Sequence, residues 1–150
     1  MIPGNILVLE DSDDDFETVC DAARRAGVTH QLRRAKSGDE FMKILRQDDY
    51  LPEFVLLDLN TAGADGREAL RFAKTDARLR SVPFVVLTTS ANPRDLGFCY
   101  DCGANAYHVK PVRHDEHLRA LGEIFHYWLR VVVLPEKREA LIKTIHPLFL

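Results

Sequence analysis

Short apolar runs alternate with amphipathic stretches along the chain. ILVL at 6–9, FVLL at 54–57 and FVVL at 84–87 are too short for helices and are bounded by polar or turn-forming residues, so they predict strands. The run at 54–57 fits a parallel strand covered on both faces. Ala106–Val109 predicts a fifth strand, and the more polar His30–Ala35 predicts a second strand at a sheet edge. Between them, Phe16, Val19, Cys20 and Ala23 recur at helical spacing and predict a helix over 13–26, stopped by Gly27. Ser37 and Glu40 form a capping box ahead of a helix that buries Phe41, Ile44 and Leu45. Ala69, Leu70 and Ala73 mark a third helix, and Pro93 opens a fourth that ends near Gly103. Leu118, Leu121, Phe125, Leu129 and Val132 form the stripe of a last helix over 114–133. This βα alternation, repeated five times, predicts a doubly wound α/β sandwich. Right-handed crossovers then place the site at the carboxyl ends of the strands.

A length of 150 residues suits one domain with a single core. With 46% hydrophobic and 29% charged residues the chain reads as globular rather than disordered. A net charge of -3 lacks the basic excess of a nucleic-acid binder. No apolar run reaches the roughly 18 residues of a membrane span, and the first residues lack the features of a signal peptide. Three cysteines do not make a disulfide framework, so the expected location is cytoplasmic. Cys99 and Cys102 with His114 and His117 only superficially resemble a zinc site, because the histidines are too close and a strand and proline intervene. Cys20 and Cys99 are expected in the core, and His108 at a rim.

The chemistry sits where the strands end. Glu10 and Asp11 straddle the end of the first strand, Asp58 follows the third, Thr88 the fourth and Lys110 the fifth. Adjacent acids are costly unless a cation neutralises them. Three converging carboxylates suit a hard cation, and Mg2+ fits, with a backbone carbonyl such as that of Asn60 as a further ligand. Asp58 is the best nucleophile toward phosphorus, giving an acyl phosphate. Lys110 offsets phosphoryl charge, and Thr88 donates its hydroxyl. Whether the Lys110–Pro111 bond is cis is open at this point.

The stretches ILVLEDSDDD, VLLDLNTAGADG, FVVLTTSA and AYHVKPV resemble the receiver domain of bacterial response regulators over about residues 4–133. The resemblance implies a flavodoxin-like, CheY-like fold: a five-stranded parallel sheet of order 2-1-3-4-5 flanked by five helices. It implies Glu10, Asp11, Asp58 and Asn60 at the magnesium site and Asp58 as phosphoacceptor. Thr88 and Tyr107 become the switch pair, and Lys110 the active-site lysine. The implied function is that of a two-component phosphorelay protein phosphorylated by a histidine kinase. Such a protein is not an enzyme, although it catalyses its own phosphorylation and dephosphorylation. LTTSANPRD and FHYWLRVVVLP are similar to the regulators of bacterial phytochromes, which implies a bacteriophytochrome partner and a homodimer. The chain departs from the family at Thr61 and Ala62, where a hydrophobe and a proline are usual.

YWLRVVVL at 127–134 is apolar on more than one face, so one sheet cannot cover it. The expected division is a receiver over 1–134 and an extension over 135–150 for dimerisation or docking. Trp128, Leu129, Val132, Val133 and Leu134 are expected at the dimer interface, joined by Leu141, Ile145, Leu148 and Phe149 if the extension crosses over. No output module is expected after Leu134. The signal then passes by a change of protein partner or by phosphotransfer to a second histidine-containing protein. An aspartate-nucleophile phosphatase is the rival enzyme, but it places an acid two residues after its nucleophile, and this chain has Asn60 there. A flavodoxin-type carrier is disfavoured by the acidic loop EDSDDD.

Overall fold

The apolar runs pair as parallel strands in a computed structural model that describes residues 5–60 and 66–135. In chain order the elements are β1 (Asn5–Leu9), α1 (Asp13–Arg25), β2 (Gln31–Ala35), α2 (Gly38–Leu45) and β3 (Phe54–Leu57), followed by α3 (Gly66–Thr75), β4 (Phe84–Thr88), α4 (Pro93–Asp101), β5 (Ala106–Val109) and α5 (His114–His126). The sheet order is β2-β1-β3-β4-β5, with every neighbour parallel, as expected for this fold class. The polar β2 lies at an edge.

Alternate side chains of each strand point to opposite faces, and this splits the core in two. Leu7, Leu9, Val55, Leu57, Phe84 and Val86 pack with residues of α2, α3 and α4. Ile6, Val8, Phe54, Leu56, Val85 and Leu87 pack with α1 and α5. Edge-on aromatic pairs anchor each layer, Phe41 with Phe84 at 6.4 Å and Phe54 with Phe125 at 6.2 Å.

The register fixes the site. Leu9 pairs with Leu57, and Leu57 with Val86. Glu10 and Asp58 therefore leave their strands side by side, and Thr88 lies one residue beyond. The Asp58 amide donates to Leu9 O at 3.1 Å, and the Lys110 amide to Thr88 O at 2.7 Å.

The last helix departs from expectation. The apolar spacing predicts α-helix to Val133, but α5 ends at His126 and a π-helical turn follows over Tyr127–Val131. The Val132 amide closes that turn on Tyr127 O at 2.8 Å. The wider turn lets Arg130 donate to Ala26 O at 3.0 Å, across the end of α1. Trp128 and Leu129 lean on the α1–α5 core layer, while Tyr127, Val131 and Val133 are exposed. No described peptide bond is cis, so Lys110–Pro111 is trans. Residues 136–150, with Leu141, Ile145, Leu148 and Phe149, lie outside the described residues, as do Thr61 and Ala62. Among the described residues no helix is long and apolar enough to cross a membrane.

Candidate functional site

Glu10 and Asp58 follow neighbouring strands, and both turn toward Lys110. The Lys110 ammonium lies 2.6 Å from Glu10 Oε1, 3.0 Å from Asp58 Oδ2 and 3.1 Å from Asp15 Oδ2. Glu10 and Lys110 are buried, and Asp58 is nearly so. Burial pushes the Glu10 carboxyl up, and the bond from Lys110 only partly offsets it. Burial alone would depress Lys110. The bond to Glu10 and the negative charges of Asp58 and Glu10 outweigh it, so the lysine is held above its usual range. The ammonium is therefore a fixed positive charge.

Asp58 is held at both oxygens. Oδ2 accepts from Lys110, and Oδ1 accepts from the Asn60 amide at 3.0 Å. Behind it, α3 begins with a glycine for a steric reason: a Cβ on Gly66 would stand 3.3 Å from Asp58 O and 3.1 Å from Leu57 Cδ1. Asn60 also turns its side chain to Thr88, Nδ2 donating to Oγ1 at 3.1 Å. Thr88 is fully buried.

Glu10, Asp11 and Asp58 each offer a carboxylate oxygen, and these lie within 4.8 Å of one another. Counting Asp15, three carboxylates face the one ammonium, and Asp11 adds a fourth acid to the group. Hard oxygen donors with excess negative charge suit a divalent cation such as Mg2+. Among the described residues this is the one such group of acids, histidines and cysteines. The cysteine pair does not form another: Cys99 is buried in the core, and Cys102 caps α4. His117 is buried and His114 exposed. His108 is half-buried beside Glu123 and Trp128, at the rim of the sheet.

The structure brings together every expected site residue except Tyr107, which is one step removed. Its hydroxyl donates to Ser90 O at 2.8 Å, and the Ser90 amide faces Thr88 Oγ1 at 3.4 Å. Sequence reasoning missed Asp15 as a Lys110 partner and Arg34 as a support. Arg34 Nε donates to Glu10 O at 2.9 Å and Nη1 to Asp13 Oδ1 at 2.7 Å, while its guanidinium stacks on Phe16. It also missed the link from Ser90 Oγ to Asp95 Oδ2, 2.6 Å, and from Asp95 to Arg67. The acidic run 13–15 suits a helix N-terminus whichever residue faces inward, so sequence alone could not single out Asp15.

Comparison with known proteins agrees with this geometry. The family model of the response regulator receiver domain matches residues 6–122. Over 131 residues the chain is 36% identical to the probable methanogenesis regulatory protein FilR2 of Methanothrix harundinacea, covering 85% of this chain and 84% of that one. It is 33% identical over 138 residues to response regulator Rcp1 of Synechocystis, covering 89% and 94%. The Mn(2+)-bound form of Rcp1 matches the fold with a TM-score of 0.85. The phosphorylated cyanobacterial phytochrome response regulator RcpA also gives 0.85, at 32% identity, covering 89% of this chain and 99% of that one.

Proposed function

This chain belongs to the response regulator receiver family of two-component signalling proteins, and we propose that it takes a phosphoryl group onto Asp58 from a sensor histidine kinase of the bacteriophytochrome type. The observation that carries this reading is the posture of Asp58. It stands at the carboxyl end of a central strand, with one oxygen on Lys110 and the other on the Asn60 amide, beside Glu10 and Asp11.

In the transfer an Asp58 oxygen attacks phosphorus. A new P–O bond forms as the P–N bond of the kinase phosphohistidine breaks, and the imidazole leaves as the neutral ring after taking up a proton. Lys110 supplies positive charge where the phosphoryl oxygens gather, without first having to be protonated. Thr88 and the Asn60 amide supply hydrogen bonds. Glu10, Asp11 and Asp58, with the Asn60 carbonyl, would hold Mg2+, which when bound neutralises charge on the entering phosphoryl oxygens. The same groups serve a small phosphodonor, so phosphorylation is self-catalysed. Lacking an acid two residues after Asp58, the site is suited to holding the group for signalling rather than to rapid turnover.

The phytochrome assignment draws on the similarity to Rcp1 and RcpA, and the metal on the Mn(2+)-bound Rcp1. The receiver comprises residues 1–134 and the extension 135–150, of which only Pro135 is described. We place the protein in the cytoplasm, as a homodimer joined through the end of α5 and the residues after it.

Intact mass after treatment with phosphorylated bacteriophytochrome and Mg2+ tests the reading. The protein should gain one phosphoryl group, and Asp58→Asn should gain none. Labelling of Asp58→Asn at the wild-type rate rejects Asp58. Labelling of wild type by small donors but by no phytochrome kinase retains the site and rejects the partner.

A further inference from the structure

We infer that Asp15 is a positioning residue that holds Lys110 away from the incoming phosphoryl group and so slows phosphorylation by anionic donors. The inference deepens the reading above and rests on Asp58 being the acceptor.

An ammonium has three protons to donate, and in this site Glu10, Asp58 and Asp15 take all three. A phosphoryl group arriving on Asp58 brings new acceptor oxygens, so Lys110 must give up a partner to meet them. Glu10 is the least able to be released. It is buried and makes the shortest bond, 2.6 Å, so abandoning it would strand a carboxylate away from water. Asp58 carries the reacting oxygen itself. Asp15 remains: its side chain is 41% exposed, and water replaces the lost bond.

The inward turn of Asp15 is built into the start of α1. Ser12 caps the helix and accepts from the Asp15 amide at 3.2 Å, which fixes the third residue of the first turn. The neighbouring acids are directed elsewhere. Asp13 pairs with Arg34 at 2.7 Å, and Asp14 is exposed. Asp15 thus acts in two ways. It occupies a Lys110 proton that the phosphoryl group needs, and it sets a negative charge beside the path of an anionic donor.

The test uses purified full-length protein, Mg2+ and two small donors, acetyl phosphate and the less negatively charged phosphoramidate. With acetyl phosphate an Asp58 oxygen forms a bond to phosphorus, the bond to the acetyl oxygen breaks, and acetate leaves. Asp15→Asn should raise the second-order labelling rate with acetyl phosphate about fivefold, the scale for removing one partly screened charge at close range. The gain with phosphoramidate should be smaller, and Asp15→Glu should return both rates toward wild type. A purely structural role would not separate the donors. Unchanged or slower labelling of Asp15→Asn, equal gains with both donors, or Asp15→Glu behaving as Asp15→Asn would each overturn the inference. Should Asp15→Asn melt well below wild type, Asp15→Ser is read in its place: its gain with acetyl phosphate must again exceed its gain with phosphoramidate, and equal or absent gains overturn the inference. Failure of the underlying assignment is distinct, since it appears as labelling that survives Asp58→Asn.

Discussion

Tyr107 donates its hydroxyl to the main-chain carbonyl of Ser90 at 2.8 Å, tying the ring on β5 to the loop that leaves β4. The same serine reaches Thr88 through its amide and Asp95 at the start of α4 through its hydroxyl. Asp95 in turn pairs with Arg67 on α3. The hydrogen bond from Ser90 and the charge of Arg67 keep the Asp95 carboxyl below its ordinary range, so the link stays ionised near neutral pH. A movement of Thr88 toward a phosphorylated Asp58 would therefore pull on a loop joined to two helices and β5.

Thr88→Ala should accept phosphate on Asp58 but fail to transmit it. In wild type, phosphorylation should shift amide resonances across α4, β5 and α5, while in Thr88→Ala the shifts should stay around Asp58. Tyr107→Phe removes the Ser90 bond, at a cost of about 1 kcal/mol, and should blunt the same distant shifts. Equal distant shifts in wild type and Thr88→Ala would remove the hydroxyl from the relay.

Lys110→Ala leaves Glu10 buried without its cation. Removing one partner of a buried pair typically costs about 3–5 kcal/mol. The variant should unfold at lower urea than wild type in chelator, and Mg2+ should recover a larger part of that loss than it adds to wild type, since binding to the folded state stabilises it. It should also label slowly. Equal Mg2+ stabilisation of the two proteins would mean that Lys110 and the metal do not share these carboxylates.

The sheet was legible because its strands are nearly pure apolar runs, and the register follows once Leu9 and Leu57 are paired. Strand ends carrying Glu10, Asp58, Thr88 and Lys110 therefore disclosed the site. What stayed hidden depends on side-chain direction or on competition between equal candidates. Asp13, Asp14 and Asp15 all favour a helix N-terminus, and only the folded chain shows that Asp15 turns to Lys110. The spacing of Leu129 and Val132 continues the stripe of α5, so it reads as helix. The Arg130 tie to Ala26 is a tertiary contact that no local pattern announces, and it accompanies the π turn.

His117 should make stability fall in mild acid. Burial pushes its imidazole below the ordinary range, and the Lys110 charge adds to this while Asp15 opposes it. Its Nε2 is buried without a hydrogen-bond partner. The unfolded chain then binds more protons between the depressed value and about 6.5, so stability is complete above about 6.5 and is lost as pH falls through this window. His117→Leu should lower the drop in urea midpoint between about pH 7.5 and 5.5 without loss at the upper pH, because no partner is stranded. A variant with the same drop as wild type would show that the ring is not buried as the neutral form.

A homodimer should close through the exposed apolar residues of the π-helical turn after α5 and of Val133 beyond it. Val133 is 95% exposed, with Tyr127 and Val131 about half exposed. A two-fold contact would cover such a patch with itself. Trp128 and Leu129, expected at the interface, lean on their own core, so Trp128→Glu would conflate folding with association. Val133→Glu is the sharper variant, because an exposed valine has little part in the fold. Light scattering at about 100 μM should give twice the chain mass for wild type, a concentration at which a Kd of about 10 μM leaves most chains paired. Val133→Glu should shift the mass toward the monomer, and added salt should change wild type little, since an apolar contact is not screened. Truncation after Leu134 measures the share of the extension, whose Leu141, Ile145, Leu148 and Phe149 are outside the described residues. A wild-type protein that stays monomeric under these conditions, phosphorylated or not, would eliminate the dimer and leave this surface to a different partner.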